Sequence, residues 1–145
     1  MARREYKSGS AWALWRWTDI VVDGELYLRR LHIIQIPIVG AIMLHWIKKP
    51  DSHPDLHDHP VSFLSIVLRG SYLEERFVGP PRDDIRALRL VRRFNIVSAK
   101  TAHRITNILG PRGVVTLVFA GPKANEWGFY TPAGWQHWRG YKENV

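Results

Sequence analysis

The chain has 145 residues, 46% of them apolar, with seven tryptophans, a net charge of +8 and a pI near 10.2. That size supports one domain with a real hydrophobic core, and the apolar content excludes an intrinsically disordered chain. Cysteine is absent, which excludes disulfides, thiolate metal ligands and a cysteine nucleophile.

The longest apolar run, IPIVGAIMLHWI, is interrupted by Pro37, Gly40 and His45, so neither a membrane span nor a membrane partner is expected. MARREYKSGS lacks the apolar segment of a secretory signal, and a cytoplasmic protein is expected. Positive charge is dispersed through ARREYK, LRRLH, IKKP and IRALRLVRRF and reads as a solvated basic rim. It favours anionic partners. No zinc-finger, helix-turn-helix or RNA-recognition signature accompanies it, so nucleic acid is the less favoured partner.

Along the chain, SGSAWALWRWTD is expected to form a short helix capped at Ser10, with Trp12 and Trp15 covering the core. From Glu25 onward the pieces ELYLRRLHIIQI, GAIMLHWI, VSFLSIVL, SYLEERFV, IRALRLVRRFNIV, GVVTLVFAG and EWGFYT read as strands punctuated by Gly, Pro, Asn and Asp. This pattern predicts an all-β antiparallel sandwich or small barrel with one or two minor helices. Residues 1–24 are expected to pack as an aromatic segment on a barrel made by 25–145.

Three of the seven histidines fall in HPDLHDHP. If a strand begins near His57, period-two alternation places His57, His59, Val61, Phe63, Ser65 and Val67 on one face. Two imidazoles presented from one β element suit Fe, Zn, Cu or Ni. His53 reads as a loop residue in SHPD, and His32 and His45, among bulky aliphatics, as structural. His103, in SAKTAHRITNI and at the parity of Ile105 and Asn107, is the best third ligand. Asp58, Asp55, Ser65 and Asn107 are candidates for orienting the imidazoles, although alternation turns Asp58 toward loop anchoring or an arginine. In the tail NEWGFYTPAGWQHWRGY, His137 is a candidate acid/base with Trp135 or Tyr130 lining a pocket. The alternative is a packed C-terminal strand and turn marked by Pro132 and Gly134.

These residues resemble a cupin, the small jelly-roll barrel superfamily. His57 and His59 match the H-x-H of the first motif and Gly70 its later glycine, while Phe63 stands where the motif has an acidic ligand. His103 followed by Asn107 is similar to the second motif. Loss of the carboxylate narrows the resemblance to thiol dioxygenases, the cysteine dioxygenase group, whose second motif reads H-R-x-x-N before a buried strand; HRITN and VVTLVFAGP are similar in order and spacing. By that resemblance His57, His59 and His103 are the ligands of a ferrous ion, with Zn, Ni or Mn as other occupants. A substrate-carboxylate arginine on an early strand is Arg29 or Arg30, of which Arg30 is taken as the catalytic candidate beside His137. Thr116, Val118 and Ala120 stand where those enzymes carry serine, histidine and tyrosine.

The leading expectation is a non-haem Fe(II) dioxygenase acting on a small anionic substrate. A metal- or small-ligand-binding cupin without turnover is the second reading. A metal-free basic barrel that binds nucleic acid or an acidic protein is the third. A homodimer is also envisaged.

Overall fold

The computed structural model describes residues 12–141. The first six strands are β1 (Ala13–Val22), β2 (Glu25–Ile36), β3 (Gly40–Ile47), β4 (Leu56–His57), β5 (Val61–Arg69) and β6 (Ser71–Phe77). They are followed by β7 (Arg86–Val91), β8 (Phe94–Val97), β9 (His103–Leu109), β10 (Val114–Lys123), β11 (Gly128–Thr131) and β12 (Gly134–His137). Two antiparallel six-stranded sheets result, ordered β1-β2-β3-β10-β5-β8 and β12-β11-β4-β9-β6-β7. This is an all-β jelly-roll sandwich. Among the described residues the only helical piece is a single 3-10 turn at Pro81–Asp83, within GPPRDD.

The N-terminal stretch corrects the sequence expectation. Ala13–Val22 is a strand paired with β2 rather than a helix, and Trp12 and Trp15 are 72% and 66% exposed instead of covering the core. Ser10 lies outside the described residues. Spacing of three between tryptophans suggested a helix, but aromatic and β-branched residues also fit a pleated surface. Here the free edge of β2 supplies the hydrogen bonds that decide between the two.

The interior is layered. At one end Leu28, Ile47 and Val114 share a register across β2, β3 and β10 and meet Tyr72 and Val91 of the other sheet in an apolar cluster. Two residues further along the same strands the inward row is Arg30, His45 and Thr116. Burying such groups is costly unless they are partnered, so the change from an apolar to a polar layer marks where the fold serves something other than packing.

Gly70 sits at the corner where the chain leaves β5 in one sheet for β6 in the other, with φ +77°. A Cβ there would lie 2.9 Å from the Gly113 carbonyl oxygen. Both the left-handed backbone and the close approach require glycine.

Candidate metal centre

His57 and His59 do not lie on one continuous strand. β4 ends at His57 in one sheet and β5 begins at Val61 in the other. Pro60, which has no N–H to give a ladder, sits in the crossover. The Asp58 amide donates to the Gly128 carbonyl (3.1 Å) and the His59 amide to the Ala99 carbonyl (3.2 Å), which fixes the bend. Asp58 is the anchor, accepting from the Gly128 amide (2.7 Å), Trp135 Nε1 (3.1 Å) and the Tyr130 hydroxyl (3.4 Å). His57 pairs directly across β4 and β9 with His103.

The three imidazoles converge. One nitrogen from each of His57, His59 and His103 lies within 4.8 Å of the others, and the Nε2 atoms of His59 and His103 are 2.7 Å apart. Phe63 packs edge-on against His59 at 5.1 Å between ring centroids, so an apolar ring stands beside the ligands where a carboxylate could have been. Trp127 and Phe129 close over His57 at 6.2 and 5.8 Å, with His53, a loop residue, on its other side at 5.4 Å.

Burial keeps His57 and His59 neutral. Burial pushes His57 down to about 3, against the pull of Asp51 and with help from the charges of His103 and His53. Burial likewise holds His59 well below the ordinary histidine range, assisted by His103, His57 and Arg30. Neutral imidazole is the form that ligates metal.

His103 is held by a residue that sequence reasoning missed. Its Nδ1–H donates to Glu74 Oε2 at 2.8 Å, leaving the Nε2 lone pair to face the other two histidines. Glu74 is fully buried and also accepts from Asn95 Nδ2 (2.9 Å), Arg76 Nε (2.7 Å) and Arg89 (3.0 Å). Burial alone would raise its pKa, but the His103 hydrogen bond and the Arg76 charge overcome that and hold it below the usual carboxylate range. The signal was present in SYLEERFV, where alternation puts Tyr72, Glu74 and Arg76 on one face. Of the orienting groups expected, Asn107 is instead exposed; a register shift between Leu73 and Glu74 opposite it breaks the parity assumed from His103. Asp55 accepts from Tyr141 (2.9 Å), and Ser65 pairs in register with Asn95 on the inner face.

Of the two early arginines, Arg29 points outward and clamps Asp19 with two 2.8 Å hydrogen bonds. Arg30 is buried, and its Nε donates to His45 Nε2 at 2.9 Å. It is close enough to the cluster for its charge to depress His59. Burial, and then Arg30, hold His45 well below the ordinary range. His32 is lowered to about 4 by burial and the charges of Arg30 and Arg16. His137, on β12, bonds Glu126 at 3.1 Å and is outside the three-histidine group.

The donor set fits a divalent first-row ion. Three neutral imidazoles suit Fe, Zn, Ni or Cu, and the buried His57 Nδ1 makes no hydrogen bond among the described residues, an orphan that a native interior tolerates only for a reason.

Fold and cluster together define an all-β jelly-roll sandwich in which three histidines converge. Among solved structures it is similar to Fe(II)-HppE with the alternative substrate (S)-1-HPP, at a TM-score of 0.52 and 12% identity over 73% of this chain and 55% of that one. A second structure of FeII HppE matches at 0.51 and 15%, with the same coverage. Hydroxypropylphosphonic acid epoxidase from S. wedmorenis matches at 0.46 and 12%, over 66% of this chain and 50% of that one. The chain spans just over half the length of the first two. No family model and no curated protein matches it.

Proposed function

We propose that this chain is a metal-dependent cupin enzyme, a non-haem iron oxygenase acting on a small anionic substrate. The observation that carries the reading is the convergence of His57, His59 and His103 inside the sandwich. The fold shared with the Fe(II) form of HppE supports iron as the favoured ion; Zn, Ni and Mn are the other occupants to test.

In this reading the three histidines hold the ion and Glu74 fixes which nitrogen of His103 faces it. Fe(II) would supply Lewis acidity and one-electron chemistry toward dioxygen, and Zn(II) would support hydrolysis instead. Because all three ligands are neutral, the ion keeps its full charge and favours an anion beside it. Arg30 supplies the second positive charge for that anion, and its hydrogen bond to neutral His45 sets the direction of the guanidinium. Phe63, Trp127 and Phe129 shield the histidines from water, which strengthens charge interactions there.

Thr116, Val118 and Ala120 lie on the inward face of β10. That strand therefore offers no histidine or tyrosine to the substrate, and the reading is of an anion-handling oxygenase rather than a cysteine dioxygenase. His137 remains an acid/base candidate only from beyond the Trp127–Trp138 stack (5.7 Å, 7° between planes).

The test is metal analysis by mass spectrometry on untagged protein after anaerobic reconstitution, with oxygen uptake measured over a panel of small carboxylates, phosphonates and thiols. One equivalent of ion in the wild type, lost in folded His57→Ala and His103→Ala, together with anion-dependent oxygen uptake, is the expected result. A wild type that retains no ion removes the reading. An ion without turnover leaves a binding protein.

A further inference from the structure

We propose that the outer face of the β1-β2-β3-β10-β5-β8 sheet is the contact between two copies of this chain. Strand register places Leu14, Ile34, Ile42, Phe119, Leu64 and Ile96 in one row across all six strands. A second row across the same strands runs from Trp17 through Leu44, Leu117 and Ile66 to Phe94. No charged or polar residue interrupts either row.

These side chains are on the surface. Leu14 is 70% exposed, Ile96 68%, Phe94 64%, Trp17 58% and Phe119 40%; of the residues between them Leu31, opposite Trp17, is buried and the others are half-buried. Six strands about 4.8 Å apart and two side-chain rows about 7 Å apart cover roughly 400 Å² in plan, before side-chain relief adds to it. Monomers seldom leave a contiguous apolar patch above a few hundred Å², and a stable pair needs about 800 Å² on each partner. In plan the two rows make up about half of that, and the relief of the protruding Trp17, Phe94 and Phe119 side chains adds to it.

The occupant follows from charge and shape. A chain of net charge +8 repels its own copy wherever basic surfaces meet, and these two rows carry no charge. At the border Asp19 is already paired with Arg29, while Lys48 and Arg69 lie over the Trp46 ring. An open sheet face is complementary to itself, because two such faces pack aligned at about 30° with their side chains interleaved.

Sedimentation velocity and light scattering on the full chain across micromolar concentrations test this. The wild type is expected at twice the 16.8 kDa chain mass, and Phe119→Glu is expected to raise the dissociation constant about a hundredfold or more. Leu88→Glu, at an exposed position on the other sheet beside Glu75, should leave the mass unchanged. If Phe119→Glu does not fold, Ile96→Cys in this cysteine-free chain decides, because maleimide labelling should slow as protein concentration rises. A single-chain mass throughout, unaltered pairing in folded Phe119→Glu, or labelling independent of concentration would overturn the proposal. So would open-ended assemblies, or a stable complex formed only with a different protein.

Discussion

Replacing Glu74 by glutamine keeps the shape of the side chain and removes its charge. The carboxylate accepts from His103, Asn95, Arg76 and Arg89 at 2.7–3.0 Å, and an amide can satisfy only part of that set. Breaking a fully buried charge network costs about 3–5 kcal/mol. The Arg76 and Arg89 side chains keep 17% and 47% of their exposure, so water recovers some of the loss and about 2–3 kcal/mol of stability is expected to go. Orientation of His103 is a separate effect, and losing it should weaken metal binding about 10–100-fold, or roughly 1.4–2.7 kcal/mol. The assay is Co(II) titration against a competing chelator on wild type, Glu74→Gln and His103→Ala, with melting curves on the same samples. The pH dependence supplies a second readout. Because Glu74 titrates below its ordinary value of 4.5 in the folded state, its stabilisation is complete above that value and is lost as pH falls, so the acid limb should be flatter in Glu74→Gln. A Glu74→Gln protein that binds Co(II) as tightly as wild type, while His103→Ala binds none, refutes the positioning argument.

Metal affinity should fall between pH 8 and 6 by no more than the roughly hundredfold that one competing proton allows, since burial pushes His57 down to about 3 and holds His59 well below the ordinary range, so protons do not compete at those two ligands; a steeper fall across that window in a chelator competition contradicts it. Phe63→Glu places a carboxylate beside His59 and should tighten divalent-metal binding by about tenfold or more, measured by the same titration; unchanged affinity would mean that position 63 does not reach the ion. Arg30→Met should leave metal stoichiometry at wild-type level while weakening binding of small carboxylates, read from tryptophan fluorescence of the loaded protein, and equal anion binding in both forms would rule out the guanidinium as the anion's partner.

Local spacing carried much of this centre. The H-x-H pair, and a third histidine opening a buried strand, pointed to three imidazoles that do converge. The assumed route was different: one strand face was expected, whereas β4 ends at His57 and the chain crosses over at residues 58–60, so that His59 leads into the other sheet. Glu74 escaped notice because Glu75 beside it faces the other way and bonds Arg86 and Arg104. A strand charged on both faces reads as solvated throughout. The two arginines at 29 and 30 were indistinguishable for a related reason, since alternation says that one points inward but not which. Trp12 and Trp15 misled because aromatic bulk was taken for burial, and the apolar face that Trp17 joins emerges only from the pairing of six strands far apart in sequence.

The division of ligands between sheets has a mechanical side. His59 leads into β5 of one layer, while His57 and His103 belong to the other, so an ion held by all three would rivet the two layers at the end where the apolar plug of Leu28, Ile47 and Val114 does not reach. Prising the layers apart there and letting go of the ion would become one event. Retention of the ion and closure of the sandwich would then be governed by a single equilibrium, and tightening either one would tighten the other.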